Sequence, residues 1–97
     1  MRRVEFHPQA QEEFISAARF YEANAPNLGV TFIRSVRHTA STLLEFPERG
    51  RRFGGRLRRA LVPGFPYGLL YKAESERSYI VAVAHLSRRP GYWRDRS

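Results

Sequence analysis

The densest set of residues with useful chemistry lies in the run AHLSRRPGYW, residues 84–93. It contains His85, whose side chain can transfer a proton near neutral pH, and two adjacent arginines, which suit bidentate contacts with phosphate or carboxylate. Tyr92 and Trp93 add aromatic rings that can stack on nucleobases. The run therefore predicts either a general base beside phosphate-binding groups or a binding surface for an anionic partner.

Each of these residues also has a purely structural interpretation. A histidine at the end of a strand commonly hydrogen-bonds a backbone carbonyl, which is the alternative to a general base for His85. Trp93 follows the turn Pro90–Gly91 and is predicted to fold back as a hydrophobic plug at the end of the sheet, with base stacking as the alternative. Tyr67 and Tyr71 are interpreted as core or groove-lining residues.

A second group of arginines precedes this run, and the sequence predicts that the two groups meet. Arg88 and Arg89 directly follow the last predicted strand. The other group consists of Arg56, Arg58 and Arg59 on the second predicted strand. If the last three strands lie side by side in chain order, these side chains converge on one cationic patch. Such a patch could stabilise a phosphoryl anion or dock an acidic peptide.

Charge divides the chain into two unlike halves. Its 97 residues carry 17 basic and 9 acidic side chains. Residues 1–48 contain 5 basic and 6 acidic groups, whereas residues 49–97 contain 12 basic and 3 acidic groups. A neutral half joined to a strongly cationic half indicates a polyanionic or acidic partner.

Composition argues against several kinds of site. The chain has no cysteine, which removes disulfides, thiol catalysis and thiolate metal sites. The histidines His7, His38 and His85 are scattered, so we expect no metal and no cofactor. No phosphate-binding loop, dinucleotide fingerprint or nucleophile elbow occurs. No segment resembles a membrane span or a secretory signal, and we expect a cytoplasmic protein without membrane contact.

Hydrophobic periodicity predicts the elements that must position these residues. Arg2–Phe6 can alternate as a first strand. Apolar residues at helical spacing predict one helix from Pro8 to about Asn24 and another from about Leu28 to Phe46, joined as an antiparallel hairpin whose glutamates lie in solvent. Three more strands follow an arginine-rich loop. They are predicted at about Arg56–Val62, at Tyr67–Ala73 and at Tyr79 to about Leu86.

This order of elements, β-α-α-β-β-β, predicts one α+β domain over residues 1–97. The helical hairpin is expected to pack on a mainly antiparallel four-stranded sheet. The last strand is apolar on both faces from Ile80 to Ala84, which suits a central position covered on both sides.

With its segments in this order, the chain resembles the RelE/ParE superfamily of bacterial toxins from type II toxin–antitoxin modules. The resemblance covers nearly the whole sequence, through the stretches FHPQAQEEFISAARFYEANAPNLGVTFIRSV, LLEFPERGRR, RRALVPGFPYGLLYKAE and YIVAVAHLSRRPGYWRDR. Its most specific parts are the FPY…LLY strand and the terminal run H-x-x-R-x-P-x-Y-W. It implies a small cytoplasmic toxin that a cognate antitoxin neutralises by wrapping it with a C-terminal segment. An acidic, partly disordered segment suits a basic sheet face or an unpaired strand edge. The resemblance also implies that operator DNA is bound only through the antitoxin.

Two activities compete within this superfamily. RelE-type members cut messenger RNA in the ribosomal A site, and the resemblance would then assign catalysis to His85, Arg88, Tyr92 and Arg58. ParE-type members poison DNA gyrase without such a set. Target or antitoxin binding would then fall to Arg56, Arg58, Arg59, Arg88, Arg89, Tyr67 and Trp93. The long helical hairpin and the apolar-aromatic FPYGLLY strand favour the ParE side. An inactive toxin or a nontoxic nucleic-acid-binding module is a further alternative.

Overall fold

The computed structural model describes residues 2–96 and places two helices on one face of a five-stranded sheet. The elements are β1 (Arg3–Phe6), α1 (Pro8–Asn24), α2 (Leu28–Glu45), β2 (Arg51–Arg52), β3 (Leu57–Leu61), β4 (Tyr67–Ala73) and β5 (Arg77–His85). The sheet order is β1-β5-β4-β3-β2. Strand β1 runs parallel to β5, and every other pair is antiparallel. The predicted α+β class, helical hairpin and mainly antiparallel sheet are confirmed.

The sheet has one strand more than the sequence predicts. Arg51 and Arg52, expected in a loop, form the edge strand β2 and pair with Arg59 and Arg58 of β3. Two residues are too few to show the alternation by which strands are recognised. The chain can reverse between the two strands because Gly54–Gly55 adopts φ values of 95° and 55°, which glycine tolerates without steric cost.

Close contact at the turn between the helices fixes the helical hairpin. The Glu22 carboxylate of α1 accepts hydrogen bonds from the backbone N–H groups of Asn27 and Gly29, both at 2.9 Å. These bonds satisfy donors that the start of α2 leaves without intrahelical partners. A Cβ atom at Gly29 would lie 2.6 Å from the carbonyl oxygen of Ala18. Glycine at this position therefore permits the close approach of α2 to α1.

Two cores lie on opposite faces of the sheet. The first fills the space between the helices and the sheet, and Phe32, Leu43 and Ile80 are fully buried in it. The second is smaller, includes Leu70 and Val81, and is covered by the chain that follows β5. Strands β4 and β5 thus bury side chains on both faces, which agrees with the central position predicted for the last strand. Within residues 2–96, neither helix is both long and apolar enough to cross a membrane.

Candidate anion-binding surfaces

His85 ends β5, and its ring is held by the turn that follows. The Nδ1 atom accepts a hydrogen bond from the Ser87 backbone N–H at 3.1 Å and lies 2.8 Å from the Ser87 hydroxyl oxygen. The ring packs edge-on against Tyr67 of β4, with 5.2 Å between ring centroids. The structural interpretation of His85 expected a carbonyl partner, whereas the partners are the N–H and hydroxyl groups of Ser87.

Arg88 and Tyr92 belong to a cluster that fastens the C-terminal segment to α1. The Arg88 guanidinium carbon lies 3.6 Å from the centre of the Tyr92 ring, and that of Arg96 lies 5.1 Å from it. Arg96 forms a bidentate ion pair with Glu13 of α1, with both hydrogen bonds at 2.9 Å. Arg88 approaches the same carboxylate at 3.7 Å. Two residues considered for catalysis therefore contribute to tertiary structure.

The same ion pair occupies the free edge of β5. Strand β1 pairs with β5 only as far as Ile80. Beyond that point Glu13 accepts a hydrogen bond from the Val83 N–H at 3.0 Å, and Arg96 donates one to the Val81 carbonyl at 3.1 Å. These side chains satisfy backbone groups that an edge strand otherwise offers to another chain. The prediction that the helical glutamates lie in solvent was wrong for Glu13, whose partners lie 70 and 83 positions away.

The Tyr92 hydroxyl is buried and makes no hydrogen bond of normal geometry within residues 2–96. Burial raises the pKa of Tyr92 to about 12, and the negative charge of Glu13 adds to this effect. Because such a phenol stays protonated near neutral pH, Tyr92 is poorly suited to act as a general base.

Arg58 and Arg59 are neighbours on β3, so their side chains point to opposite faces of the sheet. Arg58 donates hydrogen bonds to the carbonyl oxygens of Glu48 and Gly50, at 3.1 and 2.9 Å. The Arg59 guanidinium carbon lies 4.8 Å from the centre of the Phe53 ring. Each guanidinium thus has its own local partner, and the two do not form a joint site.

The four residues considered for catalysis do not assemble. Arg58 is opposite Tyr71 of β4, whereas His85 is opposite Tyr67 of the same strand. Four residues along a strand span about 13 Å, and β4 also lies between the two side chains. The single patch predicted to contain the β3 arginines and Arg88 therefore does not form, although the predicted order of these strands is confirmed. Within residues 2–96 no three His, Asp or Glu side chains gather as a metal site.

A cationic groove lies instead on the open face, the face of the sheet that carries no helix. We call it the open-face groove, and its volume is about 530 Å³. Its apolar lining includes Phe53, Leu57 and Trp93. Its cationic lining consists of Arg56, Lys72, Arg94 and Arg96, and no carboxylate of residues 2–96 lines it.

The open-face groove combines residues that the sequence predicted for binding with others that it missed. Arg56 and Trp93 were predicted and come together here. Lys72, Arg94 and Arg96 were missed. The available signal was the run WRDR at the end of the chain, where two more arginines follow the aromatic pair.

Trp93 is the structural plug that the sequence predicted. Its side chain is 7% exposed and packs against Phe53 and Tyr92, with ring centroids 5.8 and 5.1 Å away. Because so little of the ring is accessible, it offers no free face on which a nucleobase could stack. Trp93 therefore contributes to the groove as part of its lining.

Tyr67 belongs to the helix-side core and also reaches a small cavity at the end of the sheet. Its ring packs edge-on against Phe32 at 5.2 Å, and burial raises the pKa of its hydroxyl. With His85 and Arg88 it lines a cavity of about 240 Å³. Arg89, the last of the predicted binding residues, is exposed beside this cavity's Arg88. The predicted site residues thus divide between this cavity, the open-face groove, β3 and, for Tyr92, the cluster that fastens the C-terminal segment.

Comparison with known proteins identifies the family. Residues 4–90 match the family described as ParE toxin of type II toxin-antitoxin system, parDE. The chain belongs to the ParE toxin family. Among solved structures, this ParE-family chain shares its fold with one titled "Chromosomal ParDE TA system from P. aeruginosa". The TM-score is 0.79 at 11% identity, covering 90% of this chain and 98% of that chain. A search of curated proteins gave no match.

The family match confirms the resemblance inferred from the sequence, but it does not extend to the end of the chain. It ends at residue 90, so Tyr92, Trp93 and Arg96 lie beyond the matched region. In this ParE-family protein the contact between Arg96 and Glu13 therefore joins a residue outside the matched region to one inside it. The matched region includes the helical hairpin, all of the sheet except Arg3, and the arginines of β2 and β3.

Proposed function

We propose that this protein inhibits DNA gyrase as the toxin of a type II toxin–antitoxin module, acting in the cytoplasm. The observation that carries the proposal is the family match over residues 4–90. The geometry is consistent with it, because Arg58 and His85 lie too far apart to form the RNA-cleaving set. Inhibition by binding needs an exposed surface and no assembled catalytic group.

Purified gyrase provides the test of the target. A molar excess of this protein is expected to block supercoiling of a relaxed plasmid or to trap cleaved DNA. Addition of the cognate antitoxin beforehand is expected to restore supercoiling. Unchanged supercoiling at high excess would reject gyrase as the target.

A ribosome-dependent endoribonuclease is the second candidate, and one observation favours it. His85, Arg88 and Tyr67 line the same small cavity, so an imidazole and a guanidinium are available together. This candidate requires codon-positioned cuts in translated messages during growth arrest. His85→Ala would abolish those cuts, whereas His38→Ala on the exposed face of α2 would leave them. Intact messages in arrested cells would dispose of this candidate.

Solo expression tests the toxin assignment itself. Expression of the chain alone is expected to arrest growth, and co-expression with its antitoxin is expected to relieve the arrest. A host that grows normally in both cases would point to an inactive toxin or a nontoxic nucleic-acid-binding module.

We also propose that the antitoxin inserts an acidic segment into the open-face groove and that operator DNA is bound through the antitoxin. The groove supports this because Arg56, Lys72 and Arg94 form no ion pair within residues 2–96 and surround an apolar lining that contains no carboxylate from those residues, whereas Arg96 is paired with Glu13. A segment that combines acidic and apolar side chains would neutralise the charge and bury the apolar surface. Arg94→Glu should therefore weaken antitoxin binding, and Arg34→Glu on α2 should not. Equal effects of the two changes would reject the groove as the docking site.

A further inference from the structure

The segment 49–59 concentrates positive charge to a degree found nowhere else in the chain. It consists of Arg49 and Gly50, β2, the turn that follows and the first three residues of β3, and we call it the arginine hairpin. It contains six arginines and no carboxylate. Within residues 2–96, none of the six forms an ion pair. The carboxylates of Glu5, Glu13 and Glu74 are paired with arginines outside the hairpin. The charge of the hairpin is therefore not neutralised by the fold.

The strand register places like charges directly opposite each other in this hairpin. Arg51 is opposite Arg59, and Arg52 is opposite Arg58. Directly opposed side chains in an antiparallel pair lie about 5 Å apart at Cβ, and like charges at these positions destabilise the pair. Both β2 arginines are exposed, so packing does not require them. A surface arrangement that opposes folding points to an external anion that offsets the repulsion.

A small cavity beside the hairpin shows where an anionic group fits. Its volume is about 240 Å³, and its cationic lining consists of Arg52, Arg56, Arg58 and Lys72. Among the described residues, Glu48 is the only carboxylate in the lining. The turn Gly54–Gly55 has no neighbouring heavy atom within 4 Å on the side where a side chain would stand. Guanidinium groups around an open cavity of this kind match the geometry of a phosphate group.

We propose that the arginine hairpin binds the phosphate backbone of duplex DNA, as a contact made by the toxin itself. Side chains alternate across a strand, so the pair Arg51–Arg59 lies on one face of the ribbon and the pair Arg52–Arg58 on the other. Strand β2 is the edge of the sheet, and β4 pairs with the other side of β3, so a duplex approaches the hairpin from this edge. Arg51 and Arg52 are exposed on opposite faces of the edge strand, where each guanidinium can contact a backbone phosphate.

An acidic peptide fits the same surface less well. A peptide strand added to the sheet edge would find only the two residues of β2 to pair with. It would also be separated from Lys72 of β4 by two strands, β2 and β3. The proposed DNA contact is independent of base sequence and of the gyrase assignment. Arg56 and Lys72 also line the open-face groove, so beside a bound antitoxin segment the contact rests on the β2 arginines, Arg51 and Arg52.

Salt-dependent binding to a DNA probe tests the proposal. The probe is a fluorescein-labelled duplex of about 25 base pairs and arbitrary sequence, and fluorescence anisotropy gives the binding constant between about 50 and about 250 mM NaCl. We compare the wild-type chain with Arg51→Gln/Arg52→Gln and with Arg34→Gln/Arg37→Gln. The second variant removes the same charge from exposed positions of α2. Circular dichroism confirms that each variant is folded.

The hairpin variant is expected to bind the duplex on the order of tenfold more weakly at the lowest salt. Its plot of log K against log salt should lose about two units of slope, since each lost phosphate contact removes about 0.9. The α2 variant should change the slope by less than about half a unit. Equal losses in both variants would overturn the proposal, because they would show only general attraction between net charges.

Two further probes decide between the alternatives for this surface. The first probe is a polyglutamate peptide. If the hairpin variant binds this peptide more weakly than the wild type does but binds the duplex equally well, the surface belongs to acidic peptides and the proposal is overturned. Tighter binding of a single strand than of the duplex at equal salt would contradict the assignment to duplex DNA. Supercoiling assays with the same variants keep the two proposals separate. If the wild-type chain binds the duplex through the hairpin but leaves gyrase active, the gyrase proposal is rejected and the DNA-binding proposal stands.

Discussion

At the scale of single residues, Glu13 connects three parts of the chain that are distant in sequence. Its carboxylate binds the Val83 N–H of β5 and the Arg96 guanidinium of the C-terminal segment. The side chains of Arg96 and Glu13 are only 10% and 15% exposed. Loss of the Glu13 charge would therefore leave a nearly buried guanidinium without a counter-charge.

We expect Glu13→Gln to lower the free energy of unfolding by about 3 kcal/mol, because removal of one partner from a buried ion pair leaves the other uncompensated. Urea denaturation followed by circular dichroism provides the measurement. Glu12→Gln is the matched control, since Glu12 is exposed on the same helix. It should change stability by no more than about 0.5 kcal/mol. Similar effects of the two changes would contradict the role assigned to Glu13.

Tyr92 leads to a prediction about pH. Burial raises its pKa to about 12 in the folded protein, whereas a tyrosine in the unfolded chain has a pKa near 10. The stability linked to its neutral form is therefore complete below about pH 10 and declines as the pH rises toward about 12. Between about pH 10 and about pH 12, the free energy of unfolding should fall less for Tyr92→Phe than for the wild-type chain. Urea denaturation at successive pH values measures this difference. Parallel pH profiles for the two proteins would count against a buried phenol.

At the scale of elements, regular patterns determined how well the fold could be predicted. The bounds of α1 and β4 agree with the prediction to the residue, because α1 has helical spacing after Pro8 and β4 follows a Pro–Gly turn. Strand β2 has only two residues and no periodicity, so it could not be recognised. The return of the chain at Trp93 was predicted, but the open-face groove was missed because that prediction did not show which cations the return brings together. The ion pair that fixes the end of the segment, between Arg96 and Glu13, spans 83 positions and follows no local pattern.

The helical hairpin depends on Gly29. Alanine usually stabilises a helix by about 1 kcal/mol relative to glycine. At this position, however, a Cβ atom would lie 2.6 Å from the backbone oxygen of Ala18 and 2.8 Å from Cβ of Glu22. We therefore expect Gly29→Ala to lower the free energy of unfolding by about 1–3 kcal/mol, in line with other overpacked positions. Thermal denaturation measures the change, with the exposed Ser16→Ala as control. A stabilised Gly29→Ala variant would show that the helices separate at no cost.

Substitution of the β2 arginines should stabilise the protein, whereas Gly29→Ala should destabilise it. Arg51→Gln/Arg52→Gln removes the repulsion with Arg59 and Arg58 across the strand pair. We expect the free energy of unfolding to rise by about 0.2–1 kcal/mol, with the larger gain at low salt because screening already weakens the repulsion at high salt. Chemical denaturation at two salt concentrations checks this. A destabilised double variant would mean that the arginines support the hairpin, which would remove one argument for an external anion.

At the scale of the whole molecule, the division of charge in the sequence follows the layers of the fold. Both helices come from the neutral half of the chain, whereas β2, β3, β4 and β5 come from the cationic half. The field of the molecule is therefore strongest on the side of the sheet, where it can attract a polyanion before contact is made. Exposed charges act over about 8 Å at physiological ionic strength, so the open-face groove and the arginine hairpin act on a partner at close range.

The two cores of the molecule share the strands between them, and this sharing has a measurable consequence. Leu69 and Ile80 belong to the first core, whereas their chain neighbours Leu70 and Val81 belong to the second. Neither core can be lost without disturbing the strands that form the other. We therefore expect the chain to unfold in one cooperative transition, as most single domains of this size do.

Trp93 is the only tryptophan and lies in the second core, so its fluorescence reports on that core alone. Far-UV circular dichroism reports on the helices that cover the first core. Phe32→Ala, a change in the first core, should lower stability by about 3–5 kcal/mol and shift both signals to the same lower urea concentration. Val36→Ala is a milder variant for the case in which Phe32→Ala does not fold. Phe20→Ala, at a ring that is 62% exposed, should shift neither signal. If the dichroism transition moved while the fluorescence transition stayed in place, the two faces of the sheet would be energetically independent.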